Sequence, residues 1–389
     1  MRQIGLLGSP GTKRTLYLQQ ALEQAGIQPL FMDWKDFAAI RETLLKRSEG
    51  KLLIKVDPPS WDSCRLHKLD DLATEYRQRL GELAQTGRSG RITYLNPPDM
   101  IEMLLDKRSC KRALVKAGLP VTEELPGLQD GEDGEADTPK GQPGVLPAAF
   151  AGKNGQSHSM PASSCLADRL LERMRAAGIF QVFLKPVWGS GAAGVSALRW
   201  QPATGQMVLY TCSLLQGEHD LVNTKRLRCF HDPAIILPFL EEILGLGCIV
   251  ERWYAKMEYR GFSCDLRAVV QDGRVDFLVA RLSKGPITNL HLNNHPLSAE
   301  ELDLPAGVMD SVHTVCIDAM KPFPGLRSAG IDLLLEKGSL RPRIIEMNGQ
   351  GDLMYQDIYQ KNTIYRHQAE MMKRWLQEPD AERFGAAGK

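Results

Sequence analysis

The residues best suited to chemistry fall in a few short segments. The first is Phe183-Leu184-Lys185-Pro186, followed by Trp188-Gly189-Ser190-Gly191-Ala192-Ala193-Gly194. A lysine near the end of an apolar strand is costly to bury unless it meets an anion. A loop of Gly, Ser and Ala lets backbone N–H groups approach a phosphate closely. The competing reading is a hairpin tip with Lys185 reaching out to solvent. The second segment pairs Gly330-Ile331-Asp332-Leu333 with Arg343-Ile344-Ile345-Glu346-Met347-Asn348-Gly349. Glu346 and Asn348 are two apart on a strand and share a face. The turn between the two strands folds Asp332 back toward them. Two carboxylates and an amide oxygen suit a hard cation such as Mg²⁺ better than zinc, against the alternative of a solvated face.

A third segment, Ile249-Val250-Glu251-Arg252-Trp253-Tyr254, runs from an apolar strand into an acid and two aromatics, with Glu258 seven residues after Glu251. Such an edge can read a purine through backbone donors and acceptors, with the acids accepting amino or hydroxyl hydrogens. Gly8-Ser9-Pro10-Gly11-Thr12-Lys13 sits where a phosphate loop belongs, but its glycine spacing departs from that pattern, so an ordinary strand-to-helix turn is expected. His291 and His295 are four apart, which suits zinc only on a helix. Their Asn and Pro neighbours indicate a loop, where substrate contact or simple solvation is the expectation.

These side chains need elements to position them. Short apolar strands at 4–7, 30–32, 52–56 and 92–95 alternate with helices, the pattern of a parallel sheet with helical crossovers. Pro97-Pro98 opens a helix over 99–105, and another follows over 111–117. Periodicity then stops. Residues 127–164 are rich in Gly, Pro, Ser and acids and read as a mobile insertion. After a helix at 166–177, strand-like runs at 181–186, 194–200, 206–211, 248–254, 265–271 and 275–281 suggest an antiparallel, hairpin-rich region. A helix at 307–320, strands at 330–336 and 341–347, and a last helix at 362–376 complete the reading.

At roughly 100–200 residues per domain, 389 residues make about two to four domains. With 48 basic and 47 acidic residues, the formal net charge is +1, without the basic excess of a polyanion-binding protein. No nucleic-acid partner is expected. No window approaches a membrane-spanning length of apolar residues, and the apolar run at the N-terminus is too short for a signal peptide, so no membrane partner is expected. The eight cysteines form no C-x-x-C pair, which fits a reducing, cytoplasmic location.

Taken in chain order, these segments resemble the ATP-grasp ligases, over residues 96–368. Asp106-Lys107, with Lys111 and Gly118-Leu119-Pro120 after it, is similar to the family's lysine before the lid. Lys185 resembles its second nucleotide lysine, and Gly189, Ser190, Gly191 and Gly194 its phosphate-covering loop. Glu251, Trp253, Tyr254 and Glu258 resemble the hinge that reads adenine and ribose. Arg267, Arg281 and Asn289 stand where the family places its catalytic groups, and Asp332, Glu346 and Asn348 match its magnesium ligands. The branch most similar is the peptide-ligase type, which includes ribosomal-protein glutamate ligase and glutathione-synthase-like enzymes.

The resemblance implies an α/β chain with the ATP-grasp fold. It divides into a Rossmann-like N-terminal domain (1–98), a linker helix with the insertion and the lid (99–250), and an antiparallel C-terminal subdomain with the metal site (251–389). It implies ATP and Mg²⁺ as cofactors, two ions, with Mn²⁺ as a substitute. It implies a small-molecule or peptide substrate, and it allows a homodimer. The implied reaction joins a carboxylate to an amine or thiol through an acylphosphate. A phosphotransferase on the same fold and a non-catalytic ATP-binding scaffold are the alternatives. The sequence departs from the family in Gly349-Gln350-Gly351-Asp352, where a proline-glycine is common, and in the long insertion.

Overall fold

A computed structural model describes residues 2–60, 63–126, 165–188, 192–217, 219–292, 294–350 and 361–378. The expected insertion at 127–164 and the loop residues Gly189, Ser190 and Gly191 lie outside the described residues.

The chain opens with β1 (Arg2–Gly8), α1 (Lys13–Gln24), β2 (Leu30–Asp33), α2 (Phe37–Leu45), β3 (Lys51–Val56), α3 (Leu66–Thr86) and β4 (Ile92–Tyr94). The four strands form a parallel sheet in the order β2-β1-β3-β4. Thr12 caps α1 by accepting from the Thr15 N–H, so the Gly8–Lys13 segment is the strand-to-helix turn that its spacing suggests. Then come α4 (Pro98–Leu105), with proline at its first turn, and α5 (Lys107–Lys116). Asp106 caps α5 by accepting from the Arg108 and Ser109 N–H groups.

The second unit holds α6 (Leu166–Ala177), β5 (Gln181–Pro186), β6 (Ser196–Gln201), β7 (Gln206–Gln216), β8 (Asp220–Phe230), α7 (Pro233–Gly245) and β9 (Cys248–Arg252). Its sheet is antiparallel, in the order β8-β7-β6-β5-β9. The third unit holds β10 (Glu258–Tyr259), β11 (Phe262–Gln271), β12 (Arg274–Ser283), β13 (His295–Ser298), α8 (Ala306–Met320), β14 (Ser328–Leu335), β15 (Pro342–Asn348) and α9 (Thr363–Gln377). Its sheet runs β13-β12-β11-β14-β15, with β10 paired to β11. No helix among the described residues is long and apolar enough to cross a membrane.

Six elements lie outside the periodic pattern read from the sequence: α2, α3, β8, α7, β10 and β13, the last beginning at His295 where a loop is expected. In α7 apolar residues surround Pro238, a residue that normally ends helices, so neither a stripe nor a stop signal is legible. Strand β6 begins at Ser196, two residues later than expected, because Gly194 turns there with φ +73°. A Cβ at Gly194 would come within 2.7 Å of the Pro186 ring, so the turn needs glycine for space as well as for its dihedral.

Helix α9 returns to the first unit. Arg2 stacks over Trp375, and Tyr17 lies 6.2 Å from Tyr365. A second tie is buried Asn96. Its Nδ2 donates to the carbonyls of Ser328 (2.7 Å) and Gly349 (2.6 Å), and its Oδ1 accepts from the N–H groups of Arg327 (2.9 Å) and Ser328 (3.0 Å). This one amide joins the exit of the first sheet to β14 and to the end of β15. Asn96→Ala removes all four bonds and leaves buried backbone groups without partners. Urea denaturation should show a loss of about 1–3 kcal/mol. A change near zero would show that those groups find other partners.

Candidate active site

Lys185 lies on β5, between the buried residues Leu184 and Pro186. Strand β9 runs beside it, with Lys185 opposite Ile249 and Phe183 opposite Glu251. Glu251 is therefore the diagonal neighbour of Lys185 on one face of the sheet. The two side chains pair at 2.7 Å, both buried. A third buried charge completes the group. Lys111, on α5, pairs with the other oxygen of Glu251 and donates to the Thr122 carbonyl and hydroxyl, each at 2.8 Å. The Thr122 hydroxyl donates in turn to Glu251 at 2.8 Å. Burial pushes the Glu251 carboxyl up, but the ammonium groups of Lys111 and Lys185 outweigh it and hold it at about 2. Burial lowers Lys111, and Glu251 opposes that shift.

The facing wall comes from the third sheet, where register does the positioning. Asp265 on β11 sits opposite Arg281 on β12. Arg267, two residues after Asp265 and on the same face, sits opposite Asp332 on β14, which sits opposite Glu346 on β15. Arg281 bonds Asp265 at 2.7 Å and Asp332 at 3.2 Å, and Arg267 also pairs with Asp332. Lys256, just past the hinge, reaches Asp265 at 3.2 Å and the Thr288 hydroxyl at 2.8 Å. Burial raises the Asp265 carboxyl, but Arg281 and Lys256 outweigh it and hold it down. A register shift beside Asp332 sets Ile344, not Ile345, opposite Leu333. That bulge keeps Ile344 and Met347 in the core while Ile345 and Glu346 both line the cleft.

Between the two walls is a cleft with about 650 Å³ of empty space. One part of its lining is apolar, with Phe183, Tyr254, Leu334 and Ile345. The rest is charged. Lys185, Arg252, Lys256 and Arg281 face Glu251, Asp265, Asp332 and Glu346, so the lining cations and carboxylates balance. A polyphosphate entering this cleft brings excess negative charge and needs a further cation. Asp332 and Glu346, paired across β14 and β15, offer oxygen donors to one. Among the described residues no group of three or more His, Cys, Asp or Glu could hold a metal by itself. Two carboxylates completed by ligand phosphates is a magnesium-type donor set, so the residues fit Mg²⁺.

The structure brings Lys185, Glu251, Tyr254, Arg281, Asn289, Asp332 and Glu346 to the cleft lining. Arg267 stands behind Asp332. Gly194 turns the chain into β6. Lys107 lines a small adjoining cavity that it shares with Lys111, Glu251 and Glu346. Asn348 sits opposite Gly330, two residues past Glu346, and does not line the cleft. Trp253 and Glu258 line a separate neighbouring cleft, where Glu258 is half exposed and paired to Lys337 at 2.8 Å. Lys111, Thr122, Lys256, Asp265 and Thr288 stand at the site and carry no role in the sequence reading. A signal for Lys111 does exist, since it shares the apolar side of α5 with buried Cys110 and Leu114, where a lysine needs an anion.

No family model matches the chain, and no curated protein does. Solved structures do. ATP-grasp ligase PsnB, complexed with minimal precursor, Mg and ADP, is similar at 13% identity, covering 96% of this chain and 98% of that one, with a TM-score of 0.55. The macrocyclase MdnC bound with precursor peptide MdnA, from Microcystis aeruginosa MRC, is 13% identical over 96% of this chain and 100% of that one, with a TM-score of 0.54. D-alanine–D-alanine ligase from Bacillus anthracis is 10% identical over 97% of this chain and 100% of that one, with a TM-score of 0.50.

Proposed function

Because this chain has the ATP-grasp fold, we propose that it is an ATP-dependent ligase that joins a carboxylate to an amine through an acylphosphate. The observation that carries this reading is the meeting of two sheets on one cleft. Lys185 and Glu251 come from the second sheet, and Arg281, Asp332 and Glu346 from the third. In this reading the cleft lies between the lid and the C-terminal subdomain, with their boundary just past β9 and not at 250, which falls inside that strand. A peptide or amino-acid substrate is supported by the precursor peptides bound in the similar PsnB and MdnC structures.

In this reading Phe183, Leu334 and Ile345 enclose the adenine, and the backbone of 251–254 offers it donors and acceptors. Lys185 offsets phosphate charge. Asp332 and Glu346 would hold Mg²⁺, two ions in this reading, for which Mn²⁺ could substitute, while Asn348, two residues further along β15, lies outside the cleft lining. The metal, when bound, shields charge on the phosphate oxygens. Arg281 and Arg267, already converging on Asp332, steady the phosphoryl oxygens, and Asn289 orients the attacking group. The substrate carboxylate oxygen bonds to the γ-phosphorus as the bond to the β–γ bridging oxygen breaks and ADP leaves. The amine nitrogen then bonds to the acyl carbon, the acyl–phosphate C–O bond breaks, phosphate leaves, and the amine gives up its proton.

The test is an ADP-release screen of amino acids and short peptides, with mass spectrometry of the products. ADP and phosphate appearing with a joined product support the reading. A phosphorylated product without joining supports a phosphotransferase. AMP and pyrophosphate from the joining reaction would overturn the acylphosphate route.

A further inference from the structure

Beside the first cleft lies a wider, more open one, with about 1440 Å³ of empty space against about 650 Å³ in the first. Its walls come from both flanking units. Phe180, Arg199 and Tyr210 belong to the second, and Glu258, Lys284 and Lys337 to the third. The two clefts share Arg252, Lys256 and Pro286 in their linings. Five cations line the wider cleft, against one carboxylate, Glu258, which is already paired to Lys337. Lys256 is paired to Asp265 and Arg252 to Glu123, so Arg199 from the second unit and Lys284 from the third carry the excess charge. The chain as a whole carries a net charge of only +1, so this excess is local and not part of a generally basic surface.

We infer that the wider cleft docks an acidic, extended segment of a polypeptide substrate and holds it beside the reaction cleft. Length and charge together favour this occupant. A small anion would leave much of this open cleft unfilled, whereas an extended chain can run along walls that carry Arg199 on one side and Lys284 on the other. A single-stranded nucleic acid would need an open aromatic face on which to stack bases. Trp253 does not offer one. Arg199 lies over its ring at 5.4 Å, and Phe183 and Tyr210 pack against it at 5.4 and 6.2 Å. What the cleft presents instead is charge, with Phe180 partly exposed for an apolar side chain. Long-range attraction of this kind raises encounter rate and affinity and leaves the bond-making step untouched.

The inference rests on the ligase reading for what the peptide is, a substrate, but not for the binding itself. Binding can therefore be measured without ATP. The probe is fluorescein-labelled decaglutamate, followed by anisotropy at low salt, with decaglutamine as the uncharged comparison. The full chain should bind decaglutamate and not decaglutamine, and binding should weaken as salt rises. Arg199→Glu and Lys284→Glu should each weaken binding by about two- to fivefold or more, since each replaces an attraction with a repulsion. Lys321→Glu, on a distant exposed side chain that pairs with Asp318, makes the same change in net charge and should have little effect. Melting temperatures and ADP affinity of the three variants should match the parent, which separates docking from folding and from the nucleotide site. No decaglutamate binding by the parent would overturn the inference. So would equal losses in all three variants, or tighter binding of an oligothymidylate through the same two residues. If decaglutamate binds as stated and the ADP-release screen finds no ligase activity, the docking site stands and the ligase reading falls.

Discussion

Glu346→Gln lowers substrate-dependent ADP formation by about a hundredfold or more while the chain stays folded. The size follows from losing one strong electrostatic contact where charge develops in a site partly closed to water. Glu346 lines the cleft opposite Asp332, and in the proposed reading the two carboxylates would be the donor pair for the metal. Gln keeps the volume and one oxygen but removes the charge. Because the side chain is not fully buried, the change costs little stability. Steady-state rates at saturating ATP, with melting temperature as the control, check this. A variant that keeps full activity would remove Glu346 from the metal site. A variant that loses activity only by unfolding would move its role to the fold.

Glu251→Gln acts on the fold instead. Two buried ammonium groups, Lys111 and Lys185, share this one carboxylate. Removing its charge leaves both uncompensated in the interior, which typically costs about 3–5 kcal/mol. Denaturant unfolding at neutral pH should show a loss of that order. The pH dependence gives a second check. The Glu251 carboxyl is held at about 2, below its ordinary value of 4.5. A carboxyl depressed in the folded state stabilises the fold above the ordinary value, and that contribution is lost as pH falls toward 2. The parent should therefore lose stability between about pH 4.5 and 2, and the gap between parent and variant should narrow across that window. A constant gap would show that ionisation of Glu251 is not what the fold uses. A loss well under 1 kcal/mol at neutral pH would show that the two lysines relax to solvent.

Several features of the site were legible in the residues themselves. Lys185 could be singled out because a lysine within an apolar strand implies an anion; the anion expected was a phosphate, and the one the fold sets beside it is Glu251. Asp332 and Glu346 could be placed together because a tight turn must return one strand to the other, and here it sets the two residues opposite each other. The parallel first sheet and the hairpin-rich remainder also followed from periodicity and turn residues. These are local properties: burial preference, strand alternation and turn chemistry act over a few residues, so a short stretch of sequence carries them.

Other features were decided only in three dimensions. Lys107 and Lys111 lie one turn apart on α5, and both follow Asp106. Which of them reaches Glu251 depends on how α5 rolls against β15 and on where Thr122 sits, and the sequence around the lysines records neither. Trp253 and Glu258 read as parts of the same hinge as Tyr254, yet neighbouring side chains of an extended chain point to opposite sides, which turns Trp253 to the wider cleft, and Glu258 lies beyond the hinge at the start of β10. The bulge beside Asp332 aims Ile345 and Glu346 at the same cleft, against strict alternation, because Ile344 and Met347 both have a core to fill. Asn96 shows the same limit at longer range. A single amide before Pro97-Pro98 reads as part of a helix start, and only the approach of β14 and β15, more than two hundred residues later in the chain, turns it into the clamp that joins the first sheet to the strands of the site.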